Sequence, residues 1–251
     1  MNFSGLIQQE AFKIVKRKDS RWLVSALLLL FLLMFILAYT QPQNFEPKYM
    51  LENCFSTLQW VPIIVIIIGA TSIGSEFQSG AIKNLVSRSK YRFSIIGAKF
   101  VVLFGYSFCL YFALMLLTLI ISFIFFPGII TKRAWTAMFL WISGSYIENI
   151  MILSLVVLLA IIFKSAAGAV SIGIIFYLFV NLLNGFLFDL IKKVNILKWN
   201  PFNMLNLKGE LINASLEQST QLSILQLFLA IISYVILFVL LSLLVFSKED
   251  I

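Results

Sequence analysis

The chain has 251 residues, 61% of them hydrophobic and 12% charged, with a net charge of +8 and a mean hydropathy of +1.00. A soluble domain carries about 45–50% apolar and about 25% charged residues, so this composition cannot keep its surface in water. No histidine is present, which excludes a histidine-based triad, a histidine-ligated zinc site and a histidine general base. The two cysteines, Cys54 and Cys109, make at most one disulfide. Cys109 lies in an apolar run and reads as an ordinary core thiol. The expectation is an all-α, polytopic membrane protein that is not an enzyme, with no catalytic residues and no metal site.

In chain order, residues 1–21 come first, on the cytoplasmic side. Within them, 3–18 form an amphipathic interfacial helix. Phe3, Leu6, Ile7, Ala11, Ile14 and Val15 recur at spacings of three and four, while Gln8, Gln9, Lys13, Lys16 and Arg17 lie mainly off that face. Such a helix lies flat in the membrane interface, either as an anchor or as an elbow that slides when the bundle moves.

Six apolar runs have spanning length: 22–39, 58–73, 100–126, 147–163, 166–188 and 222–246. Pro62 sits near the start of the second, and Pro127-Gly128 ends the third. Residues 134–146, with two tryptophans, are either an interfacial piece or the outer end of a longer fourth helix. The segment 74–99 between spans two and three reads GSEFQSGAIKNLVSRSKYRFSIIGAK. Its 76–87 stretch makes about three helical turns. Phe77, Ile82, Leu85 and Val86 form an apolar side, and Lys83, Arg88, Lys90 and Arg92 a basic flank. That pattern suits docking to a cytoplasmic partner or to anionic lipid. The 189–221 loop is the largest outer segment, with a turn at Asn200-Pro201 and enough apolar residues for one short amphipathic or re-entrant helix.

Twelve of the 19 basic residues fall at the chain start, between spans two and three, at Lys164 and at Lys248. The positive-inside rule then places both termini in the cytoplasm. No cleavable signal peptide is evident, and residues 1–251 read as one transmembrane domain. Gly69, Ala70 and Gly74 in span two, with Gly168 and Gly173 in span five, are the expected close-contact positions between helices. Glu148, toward the outer end of span four, is expected to pair locally with Lys132 or Arg133. No G-x-x-x-x-G-K-[ST] phosphate loop is present, so energy must come from a partner.

These features resemble the membrane subunits of type-2 ABC exporters, the ABC-2 permease family. The resemblance centres on Glu76-Phe77, Gly80, Lys83, Leu85, Ser87-Arg88, Arg92, Gly97 and Lys99, set against the family's E-F-x-x-G-T-x-K-x-L-x-S-x-P pattern. Ala81 and Ser89 stand where that pattern has Thr and Pro. Two permeases, identical or sisters, would pair with two cytoplasmic ATPase subunits that hold ATP and Mg; this chain itself would bind no cofactor and no nucleic acid. The 76–87 helix would be the coupling helix, with Glu76, Lys83 and Arg88 as polar contacts to the ATPase and Phe77, Ile82 and Leu85 as apolar anchors. Size and aromatic content also resemble the permeases of bacteriocin self-protection and phenol-soluble-modulin export. That implies a bacterial plasma membrane and an amphipathic or antimicrobial peptide cargo. The alternative is a partner-free membrane immunity or sensor protein.

Overall fold

The computed structural model describes residues 2–88, 92–128 and 131–248, without the side chains of Asn84, Arg88 and Asn181. The regular structure is helical throughout the described residues. Helix α1 (Phe3–Lys16) breaks at Arg17 and is followed by α2 (Lys18–Thr40), α3 (Pro47–Glu52), α4 (Val61–Gln78), α5 (Ala81–Arg88), α6 (Arg92–Phe125), α7 (Lys132–Phe163) and α8 (Ala166–Lys193). A 3₁₀ turn (Asn195–Trp199) leads to three short helices, α9 (Pro201–Met204), α10 (Leu207–Ile212) and α11 (Glu217–Thr220). Helix α12 (Ile224–Lys248) completes the bundle.

Five helices are long and apolar enough to cross a membrane: α2, α4, α6, α7 and α12. The expected fifth span differs. Helix α8 is bent by 66° between Ala166–Val180 and Leu182–Lys193, which makes it a broken span or a re-entrant loop rather than one straight span. Its first half rises only about 22 Å, short of a hydrocarbon core of about 30 Å. The ambiguous 134–146 stretch is helical and continuous with the fourth run, making α7 a 32-residue helix.

Helices α4 and α7 form the centre. They are 56% and 61% buried over their apolar windows, against 17–22% for α2, α6 and α12. Helix contact in lipid relies on small residues, because lipid tails give no hydrophobic drive for association. Ala70 is fully buried. A Cβ at Gly69 would stand 2.6 Å from Leu153 Cδ1, and one at Gly173 would stand 2.8 Å from Val156 Cγ2 and 2.9 Å from Ile66 Cγ2. At Gly74 it would overlap the backbone N and Cα of Ala166. The small-residue positions of α4 and α8 therefore face helices of this same chain. Gly168 differs, because a Cβ there meets only Phe163 at an ordinary 3.7 Å.

The close approach at Gly74 depends on a tight α7–α8 link. Lys164 adopts a left-handed conformation (φ +50) as the C-cap of α7, and the Ser165 side chain accepts from Gly168 N to cap α8.

A second left-handed feature follows α3. Cys54, Phe55 and Ser56 have φ of 51, 52 and 57, a run that costs about 1–2 kcal/mol per residue in non-glycine positions. Burial of Phe55 among aromatic rings offsets that cost: its centroid lies 5.2 Å from Phe31 and 6.0 Å from Phe35. Asn53 Oδ1 also accepts from Ser56 N at 2.8 Å. Both cysteines are free thiols; Cys54 is buried, whereas Cys109 is exposed on α6 and not a core thiol.

Gly74→Ala should lower stability in detergent by about 1–3 kcal/mol, the usual cost of overpacking. Gly168→Ala and Gly105→Ala should leave the melting temperature near that of the parent, because neither added Cβ meets an atom closer than an ordinary contact.

Candidate coupling site

The end of the bundle that carries α1 gathers four charges. Lys99 lies in the second turn of α6 among apolar residues and is 1% exposed. A lysine there must find anionic partners or forgo its charge. Its Nζ donates to Glu10 Oε2 at 2.6 Å and to the Ser72 carbonyl at 3.1 Å, and stands 2.9 Å from Glu76 Oε2. Lys13 Nζ closes the other side, 2.6 Å from Glu10 Oε1 and 2.8 Å from Glu76 Oε1. Two carboxylates and two ammonium groups thus tie α1, the C-terminal turn of α4 and the start of α6 into one electrically neutral knot.

Local sequence explains each contribution. Leu6, Glu10 and Ile14 follow one another at intervals of four and form the buried side of α1. Glu10 therefore interrupts an apolar stripe and is drawn inward with it. This signal was legible in the sequence, and the apolar-face reading passed over it. Of the apolar face read from the sequence, Leu6 and Ile14 are buried against the bundle, whereas Phe3 and Val15 are exposed. Burial pushes the Glu10 carboxyl up, but Lys99 and Lys13 outweigh it and hold the group below its ordinary value. Burial likewise works against the Lys13 ammonium, but Glu10 and Glu76 outweigh it and raise its pKa.

The single 76–87 helix expected from the sequence is two helices. Helix α4 runs on to Gln78, and Gly80 turns the chain with φ +70, a conformation that glycine adopts without a Cβ penalty. Helix α5 then starts at Ala81. The six expected coupling residues are divided by this break. Glu76 is 9% exposed and held in the charge knot, Ile82 and Leu85 are buried against the bundle, and Phe77 packs edge-on to Phe246 at 6.2 Å. Lys83 is exposed. The side chain of Arg88 and all of Lys90 lie outside the described residues. The apolar side of α5 is consumed by its own bundle, leaving Gln78, Ser79, Lys83 and Ser87 outward.

A second polar cluster occupies the opposite end. Glu148 lies near the middle of α7 and is 5% exposed. Its partner is neither Lys132 nor Arg133, which are about 22–24 Å away along the same helix. Glu148 Oε1 accepts from Lys208 N at 2.7 Å, and Oε2 stands 3.8 Å from Lys208 Nζ. Gly144, one turn away, would place a Cβ 2.8 Å from Lys208 Cα, so the 207–212 helix rests directly on α7. Asn184 of α8 donates to Asn206 Oδ1 at 2.9 Å, and Asn203 Nδ2 donates to the carbonyls of Lys198 and Thr220. Thr220 Oγ1 donates to Glu210 Oε2 at 2.8 Å; burial nevertheless leaves the Glu210 carboxyl above its ordinary value. The 189–221 loop is therefore a packed cap of short helices and not one re-entrant helix. Beneath it is a cavity of about 170 Å³ lined by Glu148, Lys208, Asn184, Asn206 and Tyr177 among others.

The family described as ABC-2 family transporter protein matches residues 6–181, more than two thirds of the chain and the part that holds the whole charge knot. No curated protein matches the chain.

Lys99→Met leaves two carboxylates facing one lysine and should cost about 3–5 kcal/mol, the range for breaking a buried pair. A Glu10→Gln/Lys99→Met cycle should show strong non-additivity in thermal melting. The pH dependence has two limbs. Glu10 contributes stability above its unfolded value and loses it as pH falls through its lowered folded value. Lys13 contributes below its unfolded value and loses it as pH rises through its raised folded value. Docking of α1 should thus persist from below pH 4.5 to above pH 10.5, the ordinary values of the two groups, as read by protease protection of residues 2–17. At the other end, Glu148→Ala should speed amide exchange at Lys208 relative to α12.

Proposed function

We propose, from the premise that this chain belongs to the ABC-2 transporter family, that α5 and the knot beneath it receive the stroke of a partner ATPase. As a member, the chain is a multi-pass membrane subunit of an ABC transporter, a family that works with an ABC ATPase. The observation that carries the proposal is the joining of α1, α4 and α6 by Glu10, Lys13, Glu76 and Lys99 directly behind α5. A push on α5 passes through the Gly80 turn to α4. The knot obliges α1 and α6 to move with it, which is rigid-body coupling between a remote nucleotide site and a membrane path.

The end that carries α1 and α5 faces the cytoplasm in this reading. Most of the basic residues lie there, as positive-inside topology requires. ATP and Mg are held by two copies of the ATPase, and a second permease, identical or a sister, completes the path. The cargo is an amphipathic or hydrophobic peptide moved outward across a bacterial plasma membrane. The apolar and aromatic content of the chain, 61% hydrophobic and 15% aromatic, supports that class over a sugar or an ion. Glu148 anchors the outer cap through Lys208 N and carries no coupling ion.

The test is a mild-detergent pull-down of tagged protein from its native membrane. A P-loop ATPase should co-purify with the parent and be lost with Lys83→Glu, whose side chain is exposed, at unchanged melting temperature. If no ATPase accompanies folded, abundant protein, the coupling role is wrong and a partner-free immunity or sensor protein replaces it. For cargo, inside-out vesicles should take up an amphipathic peptide with ATP; uptake of a small hydrophilic drug and no peptide would sink the cargo class.

A further inference from the structure

Helix α2 is the least enclosed span, with 17% of its apolar window buried. Its first two turns carry Lys18, Arg21, Trp22 and Ser25 at i, i+3, i+4 and i+7, which share one face. These four line an open groove of about 450 Å³, and all four are exposed, Trp22 by 75%. Each brings a donor: an ammonium, a guanidinium, an indole N–H and a hydroxyl. Arg21 makes one long bond to the Lys16 carbonyl at 3.4 Å, and Lys18 has no ion pair among the described residues. Asp19, beside Lys18 in the sequence, is engaged by Arg17 at 3.5 Å.

The same face continues as an apolar ridge. Leu28, Leu29, Leu32, Leu33 and Ile36 are 39–67% exposed. From Ser25 to Ile36 the helix rises about 16 Å, close to the thickness of one leaflet of a hydrocarbon core of about 30 Å. Tryptophan prefers the headgroup level, so the donors lie where a phosphate lies and the leucines where an acyl chain lies.

We propose that this face of α2 is a binding site for an anionic phospholipid. The phosphate sits in the groove among Lys18, Arg21, the Trp22 indole and Ser25, and one acyl chain follows Leu28, Leu29, Leu32 and Ile36. Charge complementarity selects the occupant. The groove holds two cations and no acid, and a zwitterionic headgroup would bring a third cation beside them. A second copy that met this face with its own α2 across a two-fold axis would set Lys18 and Arg21 against their counterparts. Position gives the site a consequence. Lys18 directly follows the break at Arg17, so a lipid bound there fixes the angle at which α1, bearing Glu10 and Lys13, leaves the membrane span.

The test is lipid retention by the purified full chain, read by native mass spectrometry. Phosphatidylglycerol is titrated against phosphatidylcholine with the same acyl chains. The parent should prefer phosphatidylglycerol on the order of tenfold, the scale set by two cations near an anionic headgroup. Lys18→Gln/Arg21→Gln should abolish the preference without changing the melting temperature. Lys192→Gln/Lys193→Gln, at the far end of α8, should retain it. Equal binding of the two lipids by the parent overturns the proposal, as does loss of preference in the Lys192/Lys193 variant. Full competition by soluble glycerol phosphate overturns it too, because the acyl ridge would then be unused. So does a change of oligomeric state in the Lys18/Arg21 variant with its lipid preference intact, which would make the face a contact between copies.

Discussion

Lys99 is a charge that the rest of the molecule is arranged to accommodate. Its ammonium lies in the second turn of a membrane helix, where an unpaired ion would cost several kcal/mol. Glu10, Glu76 and the Ser72 carbonyl surround it within 3.1 Å. Those partners come from α1 and α4, so neutralising one lysine forces two other helices into place. A buried pair of this kind contributes little net stability compared with apolar packing, but breaking it is costly. Its value here is registry: α1 has one position along the bundle at which Glu10 meets Lys99.

The knot also separates two properties that a linear reading merges. Glu76 and Lys83 are seven residues apart and would share one face of a continuous helix. The Gly80 turn sends them to different fates, Glu76 inward to Lys13 and Lys99, Lys83 outward. The stretch serves two demands at once, an internal ion cluster and an outward face. A variant at Glu76 therefore acts through the fold, whereas Lys83→Glu alters an exposed side chain outside the ion cluster.

The far end is organised on the same rule with different chemistry. Glu148 lies deep in α7 and is satisfied mainly by a backbone N–H of α10, with Gly144 allowing that helix to come close. The asparagines of the 200–206 stretch then satisfy carbonyls that the short helices leave unpaired. A chain of short helices can be packed over a membrane bundle only when its many exposed helix ends find such partners. The Asn-rich composition there is the visible trace of that requirement.

Apolar run length and the 3.6-residue period of α1 were enough to read an all-α, multi-span membrane protein that opens on an amphipathic helix, because these depend on local hydrophobicity alone. The family-like stretch around Glu76 and Lys99 was equally visible. The close contacts at Gly69, Gly74 and Gly173 could be named in the sequence, but not their partners, since small residues pack equally well within a chain and between chains. Pairing over long separations was decided only in three dimensions: Glu10 and Glu76 with Lys99, and Glu148 with Lys208 rather than with Lys132 or Arg133. The bend of α8 and the left-handed turn at Cys54–Ser56 belong to the same class. No local propensity favours the turn; it persists because the burial of Phe55 among aromatic rings and the Asn53–Ser56 hydrogen bond offset its cost.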